Sequence, residues 1–187
     1  METEKVTQRA RIREAGPADD AAVGELLVEA FITQYAKKLP EVVYTEERKR
    51  ELRDVAARRK VATVLVADVD GEVAGTVALF PPGAPGSEAW LPNAADLRGL
   101  GTAVRYHGTG LAKPLLDAAE DLARQWGVDA ICLHVRKGAD GVARMYMKRG
   151  YVREPAGDMD LPSVFLTAYV LRLNRFDITR ENGPGRC

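Results

Sequence analysis

The chain has two cysteines, two histidines, no net charge and no long apolar run in its 187 residues. Each scarcity removes a class of protein. Cys132 lies in an apolar run and Cys187 is the last residue, so they build no disulfide framework. With only His107 and His134 beside them, they offer no metal-ligand spacing either, and no metal is expected. Cys132 reads as a small buried hydrophobe. Lys and Arg number 27, as do Asp and Glu, so no overall field draws the molecule to nucleic acid or an anionic membrane. No segment approaches the roughly 20 apolar residues of a membrane span. Met1 to Glu14 is charged and carries no apolar stretch of the signal-peptide kind. The expected setting is reduced and cytoplasmic, with no nucleic-acid or membrane partner.

What is present is a regular alternation of strand and helix patterns. Val6 to Arg13 alternates weakly and ends at Gly16-Pro17, which predicts a first strand. Pro17 suits a first helical position, and Val23, Leu26, Leu27, Ala30 and Phe31 then recur at helical spacing. A second helix is expected from the capping residue Thr45 to Arg58-Arg59-Lys60, acidic at its start and basic at its end. Val61 to Val69 and Glu72 to Phe80 are β-branched runs joined by Asp70-Gly71, a hairpin signal. Phe80 to Asp96 holds four prolines and two glycines and reads as a long loop. Leu97 to Thr102 is the next strand. A helix from Leu111 to Trp126 carries Leu115, Ala118, Ala119 and Leu122 on one face. Asp129 to Val135 is a strand, Asp140 to Arg149 a helix, and Tyr151 to Glu154 with Val164 to Leu173 the last two strands. The tail from Asn174 shows no core positions and reads as frayed. This order predicts one α/β (α+β) domain with a mixed sheet and helices on both faces.

The most informative stretch is His107-Gly108-Thr109-Gly110-Leu111-Ala112, a glycine-rich turn that opens a long amphipathic helix. The first-turn N–H groups of such a helix point outward, and the dipole adds positive potential, so the turn predicts a phosphorylated ligand. Glycines let the ligand approach the backbone. The phosphate loop of nucleotide hydrolases requires Gly-Lys-Ser/Thr, where this chain has Ala112-Lys113-Pro114. A dinucleotide fold requires a third glycine and alternating parallel units. A tight turn without a ligand is the bland alternative.

Over roughly Arg9 to Leu173 the chain resembles the GNAT superfamily of N-acetyltransferases. The superfamily's signature places Arg or Gln, then Gly-x-Gly-x-Gly/Ala, at a strand-to-helix turn; His107 to Ala112 fills it, with Leu115-Leu116 at the apolar positions that follow. A second register, Arg105-x-x-Gly108-x-Gly110, aligns the flanking elements less well. The second signature, an Asn-x-x-Ala helix ending in Tyr-x-x-x-Gly-Phe, is met by Tyr146, Gly150 and Tyr151, with Ala139 where Asn is usual and Val142 where Ala is usual. His107 replaces a charged or amide side chain. Pro114, just inside the helix, demands an irregular first turn. The resemblance implies a mostly antiparallel sheet of six or seven strands, a domain over 9–173 and a polar tail over 174–187.

It also implies chemistry: transfer of acetyl from acetyl-CoA to a primary amine of a small-molecule or protein acceptor. The backbone of Leu100, Gly101 and Thr102 would pair with the pantetheine arm like an added strand. His107, Gly108, Thr109, Gly110, Leu111, Ala112 and Lys113 would form the pyrophosphate turn, with N–H groups from Gly108 to Lys113 as donors. An amide near Leu100 to Thr102 would polarise the thioester carbonyl. Tyr146 matches the tyrosine that protonates the leaving thiolate, and a phenol holds the required proton at neutral pH. A core aromatic is its plainer reading. His134 lies 12 positions earlier, where the branch acetylating ribosomal-protein N-termini has a proposed basic carboxylate. A neutral imidazole can relay that proton through water, and a structural strand histidine is the equal alternative. Glu25 and Glu29 are further candidate bases with a solvated-surface reading, and Glu88 and Trp90 are candidate acceptor contacts. The alternative function is a non-catalytic acyl-CoA-binding sensor or interaction domain. Superfamily members often form dimers, so a homodimer is expected too, although no apolar stripe marks an interface.

Overall fold

Eight strands join into one twisted sheet because the β-branched and aliphatic runs are separated by residues that turn the chain. The computed structural model describes residues 7, 9–33, 37 and 45–173. The expected frayed tail, and Val6 at the start of the expected first strand, lie outside them. The strands are β1 (Ala10–Glu14), β2 (Thr63–Val69), β3 (Glu72–Phe80), β4 (Ala94–Thr102), β5 (Ala130–Arg136), β6 (Val152–Arg153), β7 (Met159–Leu161) and β8 (Val164–Arg172). Their order is β1-β2-β3-β4-β5-β8-β6, with β7 also on β8. Every pairing is antiparallel except β4 with β5. Asp70 and Gly71 both take positive φ, 55° and 87°, the geometry that twists a two-residue hairpin correctly. The Asp68 carboxylate accepts from the Gly71 N–H at 2.8 Å.

Helices cover both faces. α1 (Asp20–Val28), α2 (Glu46–Arg53) and α3 (Val55–Arg59) bury Val23, Leu27, Leu52 and Val55 against Val64, Val66, Ala78 and Phe80. On the other face, α4 (Ala112–Gln125) and α5 (Asp140–Lys148) bury Leu115, Leu116, Ala119 and Tyr146 against Leu65, Ala67, Val77, Leu79 and Leu97. Neighbours along β2 thus alternate between two cores, as period-two geometry requires. Each buried leucine contributes about 1.5–3 kcal/mol. The third layer of contact is made without a helix: Ala89, Trp90 and Leu91 of the proline-rich loop pack on Ala94, Ala130, Cys132 and Val170. Cys132 is fully buried there, as its sequence context suggested.

Several boundaries differ from the sequence reading. The helix expected from Thr45 to Lys60 is two helices, because Asp54 leaves the helical region (φ −80°, ψ 63°) and caps α3, accepting from the Ala57 N–H at 3.1 Å. The sheet has eight strands rather than six or seven. β7 is only three residues long, and it pairs across Pro162-Ser163 with β8. β4 starts at Ala94 rather than Leu97, since two alanines and an aspartate carry no strand pattern. The expected first strand is Ala10–Glu14, and a 3-10 turn at Pro17–Asp19 precedes α1. There Asp19 receives Arg13 at 2.7 and 2.9 Å and the Gly16 N–H at 2.7 Å, which holds its carboxyl below the usual range.

Ala139 is the N-cap of α5 and provides no side-chain acceptor. Its backbone (φ −86°, ψ 56°) nearly matches that of Asp54, whose side chain does cap in this conformation. Ala139→Asn should therefore stabilise the fold by about 1 kcal/mol and raise the melting temperature by roughly 2–4 °C. Scanning calorimetry checks this, and an unchanged or lowered midpoint refutes it.

Candidate active site

The one parallel pairing in the sheet is short. β4 and β5 are hydrogen-bonded only over Ala94–Asp96 and Ala130–Cys132. Beyond that, β4 stays with β3 as far as Thr102, and β5 stays with β8 as far as Arg136. The two strands therefore part after Asp96 and Cys132 and leave a wedge. One edge of β4 from Leu97 to Thr102 has no strand beside it among the described residues. Unpaired backbone groups of this kind call for a partner. A bulge shapes the same edge: Thr76 stands opposite Gly101 and Ala78 opposite Arg98, so Val77 faces both Gly99 and Leu100. Gly99 takes φ 66°, which favours glycine. Gly101 sits in a tight place: a β-carbon there would lie 3.1 Å from Leu26 and 3.3 Å from Ala30, so those side chains would have to give way by a few tenths of an ångström. α1 continues at this point into a π-helical turn, Glu29–Thr33.

The chain leaves β4 through a 3-10 turn (Val104–Tyr106) and enters the glycine turn. Gly108 and Gly110 have φ of 76° and 78°. The Tyr106 carbonyl accepts from the Thr109 N–H at 3.3 Å and hydroxyl at 2.7 Å, and the Lys113 N–H donates to Gly110 O at 3.0 Å. The expected donor set from Gly108 to Lys113 is thereby narrowed. The N–H groups of Gly108, Gly110, Leu111 and Ala112 have no partner among the described residues. The Gly110–Lys113 bond is the irregular first turn that lets Pro114 sit in the helix start, where its missing N–H costs little. His107 does not reach toward the turn. Its Nε2 lies 3.2 Å from Thr102 O, so the ring pins the turn to the end of β4.

Beside the turn, a groove of about 430 Å³ runs between the start of α4 and α5, lined by Gly110, Lys113, Arg144 and Lys148 among others. Arg149 at its edge is neutralised by Asp117 (2.7 Å) and the buried Glu120 (2.8 Å), and Lys113 pairs with Asp117. Arg144 and Lys148 have no carboxylate partner among the described residues. The local surface is thus cationic in a chain that is neutral overall.

The two catalytic candidates lie on opposite faces of the sheet. Tyr146 is buried in the α4–α5 core with Leu97 of β4 and Leu133 and Val135 of β5. Its ring meets Tyr151 edge-on at 5.3 Å. His134 points the other way, beneath the proline-rich loop. Its Nε2 donates to Gly157 O at 2.8 Å, its Nδ1 is 3.7 Å from Glu88, and its ring lies 5.2 Å from Trp90. Trp90 in turn fills the space over Gly157, where a β-carbon would lie 2.3 Å from the indole. Glu88 and Trp90, candidate acceptor contacts in the sequence reading, are structured neighbours of His134. Glu25 is tied to Arg53 at 2.6 Å on the surface between α1 and α2.

One residue of this cluster escaped the sequence reading. Asp96 has no exposed surface, accepts from the Glu88 N–H at 2.7 Å through Oδ2, and leaves Oδ1 unpartnered. Burial pushes its carboxyl up to about 6, against the opposing pull of the Glu88 N–H. The available signal was an acidic residue inside a run of small apolar ones. Among the described residues, no helix is long and apolar enough to cross a membrane, and no cluster of His, Cys, Asp and Glu could hold a metal ion.

A raised carboxyl favours the fold while protonated. Asp96 therefore adds stability below its unfolded value near 3.8, and that contribution is lost as pH rises through about 6. Asp96→Asn should gain on the parent by about 2 kcal/mol between pH 4.5 and 7.5, from the roughly 1.5 units of that window below the raised pKa at 1.4 kcal/mol each. Urea unfolding at three pH values measures the difference, and parallel pH profiles would sink it.

The geometry can be set beside known proteins. The family described as the acetyltransferase (GNAT) family matches residues 23–151. Among curated proteins none matches. A GNAT-family acetyltransferase from Staphylococcus aureus Mu50 superimposes with a TM-score of 0.67 at 14% identity, covering 88% of this chain and 99% of its own. The PaiA N-acetyltransferase from Thermoplasma acidophilum, solved in complex with coenzyme A, gives 0.63 at 22% identity, with 85% and 97% covered. YncA from Salmonella typhimurium, solved with its cofactor acetyl-CoA, gives 0.62 at 20% identity, with 95% and 99% covered. The structural likeness is one of fold, and the family match spans well over half of the sequence, so this chain belongs to the GNAT family of acetyltransferases.

Proposed function

We propose that this GNAT acetyltransferase moves an acetyl group from acetyl-CoA to a primary amine, by direct attack, with Tyr146 as the acid and His134 taking up the amine proton. The observation that carries the reading is the continuity of the wedge with the glycine turn. The β4 edge leads through the 3-10 and glycine turns to a helix N-terminus with four N–H groups that have no partner among the described residues. An extended pantetheine arm suits the edge, a pyrophosphate suits the turn, and Arg144 and Lys148 suit further phosphate charge.

At the reacting centre, the bulge at Gly99 and Leu100 turns main-chain amides out of the β3 ladder, where one can polarise the thioester carbonyl. The thiolate that leaves would take its proton from the Tyr146 hydroxyl on the α4–α5 face. On the opposite face, the bond to Gly157 O assigns the His134 ring proton to Nε2. Nδ1 then carries the lone pair, and it can accept a proton directly or through water. The acceptor remains a small-molecule or protein amine. The alternative, an acyl-CoA sensor, draws on the His107 ring being spent on Thr102 rather than on the ligand.

Calorimetric titration tests the reading. Acetyl-CoA should bind one to one and more tightly than adenosine diphosphate, which reaches only the turn. No binding at millimolar acetyl-CoA overturns it, and binding without thiol release across a panel of primary amines selects the sensor. In the active protein, Tyr146→Phe should lower turnover roughly 10²-fold with acetyl-CoA affinity unchanged. Unaltered turnover removes the acid role.

A further inference from the structure

The proline-rich loop places one residue at the apex of the wedge. Asp96 and Cys132 form the last hydrogen-bonded pair between β4 and β5. Two residues further along each strand lie Arg98 and His134, on the same face. Glu88 touches all of this at once. Its N–H donates to Asp96 at 2.7 Å, one carboxylate oxygen pairs with Arg98 at 2.9 Å, and the other lies 3.7 Å from His134 Nδ1. Arg98 is held at its other end as well, donating to Gly86 O at 2.7 Å and lying over the Phe80 ring. Trp90, two residues on, closes over His134.

The geometry points to Glu88 as a positioning residue that ties β4 to β5 where they part, and so sets the width of the slot for the pantetheine arm. This rests on the acetyl-CoA reading above. An extended chain laid between two strands needs each neighbour about 4.8 Å away. Such spacing has to be fixed near the apex, because small changes of angle there become large displacements at the mouth. Only three residue pairs hold β4 to β5 directly. A carboxylate anchored on Arg98 of β4, in a loop whose Trp90 packs against His134 and whose Ala89 and Leu91 pack with Ala130 and Cys132 of β5, adds a lateral link that neither ladder supplies. It is more than a surface ion pair, because Asp96 and His134 beneath it are buried.

Hydrogen exchange on the unliganded full chain tests the tie without any substrate. In Glu88→Gln, amides in Ala94–Asp96 and Ala130–Cys132 should exchange roughly fivefold faster, with those of β1 and β2 unchanged. Acetyl-CoA should bind roughly fivefold more weakly, with adenosine diphosphate affinity unaltered. Arg98→Met should reproduce both effects, and the double variant should add little to either single one. Unchanged exchange at the apex overturns the proposal. Equal weakening of acetyl-CoA and the diphosphate overturns it too, since that marks general destabilisation. A parent protein that binds neither ligand removes the acetyltransferase reading, and the exchange rates still decide the tie.

Discussion

The parting of β4 from β5 is the constraint on which the rest of the structure depends. In a sheet whose other pairings are all antiparallel, the only parallel contact is three residues long, and each of the two strands is held on its far side by a long antiparallel ladder. β5 keeps seven pairs with β8 and β4 keeps its bulged ladder with β3, so the gap opens between them and leaves a β4 edge with no strand beside it among the described residues. Glycines at 99 and 101 are consequences of the same demand. One absorbs the bulge and the other lets α1 lie directly on the strand.

Charge is arranged differently on the two faces. On the α1 side, carboxylates such as Asp19 and Asp20 are paired with Arg13 and Arg59 and held below their usual range. Such groups stabilise the fold above their unfolded value, and the contribution is lost on acidification. Asp96 has the opposite sign, because burial rather than an arginine dominates its surroundings. A carboxyl that favours its proton, close to a histidine with an unpartnered Nδ1, is an expensive arrangement for stability alone. Unsatisfied buried polar atoms at Asp96, His134 and Trp90 collect in this one patch under the loop, where a fold is expected to depart from its own packing rules for a functional reason.

Much of this was legible in the sequence, and what failed had identifiable causes. The hairpin at Asp70-Gly71, the amphipathic face of α4 and the glycine turn were readable because each rests on a short-range rule. The two-faced sheet followed from element order. β7 was unreadable because a three-residue strand has no period to detect. The break at Asp54 was hidden because an aspartate within a charged helix looks like surface until its side chain is seen to cap. Asp96 and the partners of Glu88 could not be inferred at all. Their roles come from which residues the β4–β5 pairing brings together across nearly 40 positions, and no local pattern encodes that. The same holds for His107: its place in the signature was plain, but the bond to Thr102 depends on how the 3-10 turn folds back.

That bond bears on how a neutral protein can hold a polyanion. With 27 charges of each sign, long-range attraction is absent, so recognition has to be local. On the proposed reading the turn achieves this mainly with backbone. Its glycines expose four N–H donors that have no partner among the described residues, and these carry no side-chain entropy to lose on binding. Side-chain cations are few: Arg149 is taken up by Asp117 and Glu120, linking α5 to α4, while Arg144 and Lys148 at the groove have no carboxylate partner among the described residues. If the turn were free to move, the donors would diverge and the dipole alone would hold little. On the proposed reading, the His107 bond to the last residue of β4 couples the phosphate end to the strand edge. On that reading, a side chain bonded to the strand rather than to the ligand would serve binding by fixing the distance between the two places where the ligand is held.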